Sequence, residues 1–327
     1  MKISILACGS WATAVGQVLA DDNEVLLYSR KKEDLVNINI DHINKRYFPK
    51  IKLSKNISLT NDLDQIAEND IIINALPSQK TREVLYKIKD KLTSDKILIN
   101  LSKGLEIKTH KRISEIVKEI SKDVNYAVLS GPSHAEEVIE KMPTALVCAA
   151  EDIKLAQYLQ ELFTRDYFRV YSLNDVVGVE LGGAIKNVLA FGIGMATGLK
   201  FGDNTKAALI TRGIHEMNRF AVNFGANPKT ISGLAGIGDL IVTATSMHSR
   251  NNRAGILVGQ GFSVDEAVKK VKTVVEGIPS TKAIYEKARE ENIELPITNE
   301  IYKVVFENFN PQKSVMNLMR RANKNEY

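Results

Sequence analysis

The chain has 327 residues, 44% of them hydrophobic and 25% charged, with 20 Gly, 8 Pro and 2 Cys. That length leaves room for about two domains with well-buried cores, and the composition excludes a disulfide-stapled miniprotein, a collagen-like chain and a disordered one. The 44 Lys and Arg against 39 Asp and Glu leave a net charge of +5 spread along the chain, which excludes a dedicated nucleic-acid binder and suits anionic small ligands.

From Lys2 onward, short β-branched runs alternate with amphipathic helical stretches. Strands are predicted at 3–7, 24–28, 70–75, 96–101, 125–129, 144–148 and 167–171, and helices at 13–20, 81–92, 108–119 and 153–163. Such alternation is the pattern of a parallel sheet covered by helices, and the all-apolar Ile71-Ile72-Ile73 suits a sheet buried on both faces. After Leu173 only helix-length segments follow, punctuated by Gly202, Gly225, Pro228, Gly261, Pro279, Pro296 and Pro311. Cys8 and Cys148 are too few for a metal cluster or a disulfide framework, so no metal site is expected and a reducing cytoplasm is the natural compartment. The apolar stretch 187–199, broken by Gly192, Gly194 and Gly198, falls short of the roughly 20 residues that span a bilayer, so no membrane span is expected.

The first strand runs into Ala7-Cys8-Gly9-Ser10-Trp11-Ala12 and then a helix. There a dinucleotide-binding fold places the glycine-rich turn whose amides hold a pyrophosphate. Against G-x-G-x-x-G/A, Gly9 and Ala12 match and Ala7 departs, and a tight strand-to-helix turn of any α/β protein is the plainer reading. The second strand ends at Arg30-Lys31-Lys32 rather than at an acid. Arg30 would suit the 2′-phosphate of NADP, or else belongs to a solvated charge run that opens a helix. The expected fold is therefore α/β, with a Rossmann-like NAD(P)-binding domain over 1–173 and an all-α substrate and catalytic domain over 174–327. The functional cleft is expected at their seam.

Lys103 closes a buried strand, and Ser130-Gly131-Pro132-Ser133-His134-Ala135 closes another. Both are candidates to face cofactor or substrate, although a surface lysine and a helix N-cap explain them as well. The segment from Gly178 to Val188 places small residues at 182–184 one turn before Lys186. A lysine amid Ala, Ile, Val and Leu is either paired and functional or snorkels from a helix edge. Asp239, after three closely spaced glycines, could orient a lysine or cap a helix, and Ser249-Arg250-Asn251 offers planar donors suited to a phosphate or forms a polar loop. Val274 and Glu276 lie where a helix starts.

Taken in order, Gly9-Ser10-Trp11, Lys103-Gly104-Leu105, Ser130-Gly131-Pro132, Leu181-Gly182-Gly183-Ala184-Ile185-Lys186-Asn187, Gly236-Ile237-Gly238-Asp239, Ser249-Arg250-Asn251 and Val275-Glu276-Gly277 resemble the bacterial-type NAD(P)-dependent glycerol-3-phosphate dehydrogenases, to about residue 320. The resemblance implies interconversion of sn-glycerol 3-phosphate and dihydroxyacetone phosphate with NAD or NADP, to supply phospholipid synthesis. It also implies that Lys186 exchanges the proton, with Lys103 and Asp239 around the reacting oxygen. Ser249, Arg250, Asn251, Gly131 and Ser133 would line the substrate site. Ser10, Trp11, Arg30, Lys103, Ala135, Arg250, Val274 and Glu276 would contact the cofactor. Ala7 departs from the family's first glycine. A small-molecule substrate is the partner expected, and an apolar helical domain could support a homodimer.

Overall fold

The computed structural model describes residues 1–323, 325 and 326. The chain folds as two compact units, one of Met1–Lys103 with Lys111–Glu180 and the other of Gly104–His110 with Leu181–Tyr327.

The first unit runs β1 (Lys2–Ile5), α1 (Ser10–Leu19), β2 (Glu24–Tyr28), α2 (Lys32–Asn39), β3 (Ile57–Thr60), α3 (Leu63–Glu68), β4 (Ile71–Asn74), α4 (Ser78–Lys87), β5 (Ile97–Asn100), α5 (Ile113–Ile120), β6 (Asn125–Ser130), α6 (Ala135–Ile139), β7 (Thr144–Ala150), α7 (Ile153–Phe163) and β8 (Phe168–Leu173). Its strands form one sheet in the order β3-β2-β1-β4-β5-β6-β7-β8. The first six are parallel and wound in the dinucleotide-binding order, which places the carboxyl ends of β1, β2, β4, β5 and β6 on one edge. The order reverses between β1 and β4, where Ile5 lies beside Ile73.

Successive strand residues feed opposite cores. Ile3, Ile5, Ile71, Ile73 and Ile99 pack on one face with residues of α1, α6 and α7, while Leu6, Ile72 and Leu98 pack on the other with residues of α3, α4 and α5. Two buried faces are why these strands read as unbroken apolar runs.

The short helices α2, α3 and α6 lie outside the predicted helix ranges, and three further features differ from expectation. An eighth strand, β3, forms the sheet edge beside β2; it is four residues long and carries only Ile57 and Leu59 as apolar positions. Strand β7 runs antiparallel to β6, a reversal that a buried strand's composition does not encode. The predicted helix 108–119 starts only at Ile113, because His110 adopts a left-handed backbone at φ 57° and Glu115 accepts the Arg112 amide to cap the later start.

The second unit is helical: α8 (Val176–Gly198), which begins in the first unit, then α9 (Asp203–Asn223), α10 (Pro228–Ile231), α11 (Asp239–Thr245), α12 (Arg250–Gly259), α13 (Val264–Val271), α14 (Gly277–Glu290), α15 (Pro296–Phe306) and α16 (Pro311–Met319). A single wide π-helical turn over Leu234–Gly238 leads into α11. Among the described residues α8 alone is, by itself, long and apolar enough to cross a membrane, but 94% of its most apolar window is buried inside the protein.

Glu216 of α9 ties down the start of α15. Its carboxylate accepts from the Ile297 and Thr298 amides and from the Thr298 hydroxyl. Burial pushes this carboxyl up to about 7 from 4.5, against the hydrogen bonds that lower it. The folded protein thus holds a proton that the unfolded chain releases, so this contribution to stability is full below about pH 4.5 and is lost as pH rises through about 7. Glu216→Gln should abolish that slope, and melting curves of both proteins between pH 5 and 8 should show the wild type losing stability relative to the variant as pH rises.

Candidate functional site

At the switch point β1 passes through a short turn into α1. Gly9 caps the helix in extended backbone with no side-chain cap and no acid in the first turn. A Cβ built on Gly9 meets nothing within 4 Å, so the space before the helix amides is open. Beside it the buried Trp11 Nε1 has no hydrogen-bond partner. An open helix N-terminus with an orphaned buried donor on its first turn fits the pyrophosphate of a dinucleotide. Ser10 opens the same turn, Arg30 stands exposed just past β2, and Ala135 is buried at the start of α6, which packs on α1.

The turn is fastened from below. The Asn44 amide donates to the Cys8 carbonyl at 2.9 Å and to Thr13 Oγ1 at 2.8 Å. Buried Asp34 accepts from the Ser29 hydroxyl at 2.6 Å and from the Cys8 thiol at 3.3 Å. Burial first, and then Asp34's charge, push that thiol up to about 12, so it stays protonated. The sequence reading missed Asp34 and Asn44, since an acid in a charge-rich stretch and an asparagine in a loop carry no periodic signal.

Lys103 follows β5 and Gly131 follows β6, so both stand on the sheet edge that carries the turn. The turn before Lys103 is held by Asn100, whose side-chain oxygen accepts the Ser102 amide at 3.0 Å. Lys103 Nζ and Ser133 Oγ both donate to the Gly131 carbonyl, at 3.1 and 3.0 Å. Gly131 has φ 143°, and a Cβ there would press on the Leu146 backbone at 3.1 Å, so only glycine serves. Lys103, Gly131 and Ser133 are thereby brought together on one carbonyl.

In the helical unit Lys186 projects from α8 and is only 7% exposed. Its ammonium donates to Asp239 Oδ1 at 2.8 Å and to Thr243 Oγ1 at 2.7 Å. The Thr243 hydroxyl in turn donates to the Asp239 carbonyl at 2.6 Å. Gly182, one turn before Lys186, faces the same wall, where a Cβ would stand 2.7 Å from the Ala235 carbonyl. A lysine buried this deeply is tolerable because carboxylate and hydroxyl replace its water. Thr243 was not anticipated, as a threonine in a short, largely apolar helix gives no pattern.

Ser249 is the N-cap of α12, its hydroxyl accepting the Asn252 amide at 3.2 Å. Arg250 follows it and is exposed, as is Val274, while Glu276 is partly exposed at the start of α14. Asn251 is buried, with its amide bonded to Asn187 and to the Gly277 N–H. Asn252 donates to the Ala244 carbonyl at 2.7 Å, which joins α12 to the helix of Asp239 and Thr243.

Thr243→Val keeps the side chain's volume and removes one acceptor from a buried ammonium. It should lower stability by about 1 to 3 kcal/mol and reduce turnover, as checked by urea unfolding and initial rates.

Comparison with known proteins identifies the family. Residues 2–156 match the model for the N-terminus of NAD-dependent glycerol-3-phosphate dehydrogenase, and residues 175–316 match the model for its C-terminus. The chain is 47% identical over 329 residues to glycerol-3-phosphate dehydrogenase [NAD(P)+] of Thermoanaerobacter sp. strain X514, covering 100% of this chain and 99% of that one. It is 46% identical over 330 residues to the same enzyme of Staphylococcus aureus strain USA300, covering 99% of each. The crystal structure of glycerol-3-phosphate dehydrogenase from Coxiella burnetii superposes with a TM-score of 0.94 at 35% identity, covering 98% of this chain and 99% of that one. With both halves matched and relatives this similar along the whole length, the chain belongs to the NAD-dependent glycerol-3-phosphate dehydrogenase family.

Proposed function

We propose that the chain reduces dihydroxyacetone phosphate to sn-glycerol 3-phosphate, and runs the reverse oxidation, with NAD(H) or NADP(H). The observation that carries this reading is the buried Lys186 ammonium held by Asp239 and Thr243. When bound, the nicotinamide cofactor supplies the hydride for the carbonyl carbon in reduction and accepts it in oxidation.

The chain's own part is to bind, orient and move the proton. Reduction builds negative charge on the carbonyl oxygen, and Lys186 Nζ delivers a proton there; in oxidation the neutral amine takes the alcohol proton back. Asp239 and Thr243 fix the direction of Nζ. Lys103 is assigned to bring a second positive charge to the developing oxyanion; its ammonium is held by the Gly131 carbonyl, to which the Ser133 hydroxyl also donates. Arg250 grips the substrate phosphate at the start of α12, a helix end that itself favours anions, with Ser249 and Asn251 beside it.

Ser10, Trp11, Ala135, Val274 and Glu276 are assigned to the cofactor, along with Lys103 and Arg250. Arg30 is assigned to the 2′-phosphate of NADP. We divide the work between a cofactor domain at 1–173 and a substrate and catalytic domain at 174–327, in a cytoplasmic enzyme that supplies the glycerol backbone of phospholipids. Two free thiols suit that compartment.

The test follows nicotinamide absorbance during reduction of dihydroxyacetone phosphate, with NADH and NADPH supplied separately. Oxidation of either cofactor is expected, and failure of both would overturn the reading. Lys186→Ala should cut kcat by roughly 10² to 10⁴ while leaving KM for the substrate nearly unchanged. Arg250→Ala should weaken phosphate binding by about 1.5 to 3 kcal/mol, seen as a raised KM for dihydroxyacetone phosphate.

A further inference from the structure

We infer that Asn187 and Asn251 form a polarised amide relay that fixes where Arg250 and Glu276 stand, and that both asparagines are positioning residues. The inference rests on the assignment of Arg250 to the substrate phosphate.

The relay has three links. The Gly277 N–H donates to Asn251 Oδ1 at 2.8 Å, Asn251 Nδ2 donates to Asn187 Oδ1 at 2.8 Å, and Asn187 Nδ2 reaches the Gly183 carbonyl, one turn back on α8, at 3.3 Å. Asn187 is 4% exposed and Asn251 8%, and Gly277 is buried, so water competes little for these bonds. Each end is a backbone group of fixed sense. A backbone N–H can only donate and a carbonyl can only accept, so both side-chain amides have one permitted orientation.

Each link is adjacent in sequence to a residue assigned to the chemistry. Lys186 precedes Asn187 on α8, Arg250 precedes Asn251 on α12, and Glu276 precedes Gly277 on α14. The junction is closed tightly, since a Cβ on Gly277 would stand 2.7 Å from the Asn187 carbonyl and 3.1 Å from Asn251 Oδ1. Three helix segments are therefore held to one another by two amides. Asn251 commits its oxygen and one of its two amide hydrogens within the protein, so the relay fixes the direction of its side chain and the start of α12 that carries Arg250.

Initial rates with dihydroxyacetone phosphate and hydrogen exchange at the Gly277 amide, measured on the full-length protein with its cofactor, test this. Asn187→Ala should reproduce Asn251→Ala, each raising KM by about tenfold with kcat within about threefold. The double variant should be no worse than the worse single one, because both cut the same chain. Gly277→Ala should give the same KM increase without altering either asparagine. Exchange at Gly277 should accelerate in both alanine variants.

An Asn187→Ala enzyme with wild-type KM beside an impaired Asn251→Ala enzyme would overturn the relay in favour of a direct substrate contact by Asn251. Effects that multiply in the double variant would overturn it as well. If the alanine variants do not fold, the aspartates decide. Asn187→Asp keeps the acceptor that Asn251 needs and loses only the long 3.3 Å bond to the Gly183 carbonyl, whereas Asn251→Asp sets oxygen against oxygen across the 2.8 Å central link, so the second must be the more impaired; the opposite order overturns the relay. Should Arg250→Ala leave KM unchanged, the phosphate assignment fails by itself, and Gly277 exchange then judges the relay alone: faster exchange supports it and unchanged exchange overturns it.

Discussion

The helical unit depends on how closely α8 and α12 cross. A Cβ on Gly194 of α8 would lie 2.3 Å from the Asn252 carbonyl, and one on Gly255 of α12 would lie 2.0 Å from the Phe191 carbonyl. Gly198 and Gly259 repeat the contact one turn further along each helix. Backbone thus rests on backbone, and no side chain is interposed that could change rotamer and alter the spacing. A crossing of this kind is a rigid joint, because packed interiors resist even methyl-sized insertions. Its functional consequence is direct: α8 carries Lys186 and the amino end of α12 carries Arg250, so the joint sets the separation between the proton-exchanging group and the proposed phosphate group.

On that joint the protein spends buried polar groups, which stabilise little by themselves. An ammonium with its carboxylate, two asparagine amides and a threonine hydroxyl all lie at or below 8% exposure in α8, α11 and α12. Hydrophobic residues of the same volume would serve stability as well or better. What the polar groups add is direction, since each hydrogen bond has one good geometry and a satisfied network has few alternatives. Glu216 shows the cost of the same device away from the site: it holds the start of α15 by three bonds, yet burial drives its carboxyl up to about 7.

Legibility in the sequence followed the strength of each element's signal. Ile71-Ile72-Ile73 reported a strand buried on both faces because both core clusters draw on it. Ile57 and Leu59 formed the edge strand unseen, because a four-residue strand with two apolar positions looks like any loop beside a charge run. The parallel sheet emerged from the alternation with helices, but the reversal of β7 depends on where the chain re-enters the sheet and leaves no mark on composition. At the site, Lys186 was conspicuous as a charge in an apolar helix. Thr243 was silent, and so was the pairing of Asn187 with Asn251, since a partner more than fifty positions away along the chain cannot be read from local spacing.

The departure at Ala7 can be weighed on the same terms. A first glycine in such a turn is needed where the backbone must enter the left-handed region or where a Cβ would collide. Ala7 is not among the residues with positive φ, and its amide closes the turn on the Ile5 carbonyl at 2.8 Å. The next residue is held twice over, its carbonyl by Asn44 and its thiol by Asp34, and Asp34 is itself braced by Ser29. The shape of the turn is therefore imposed by side chains just after β2, in α2 and in the segment after it rather than by glycine's freedom at position 7. At Gly9 the backbone is ordinary extended and a Cβ would meet nothing within 4 Å, so what the glycine leaves is open space in front of the helix amides.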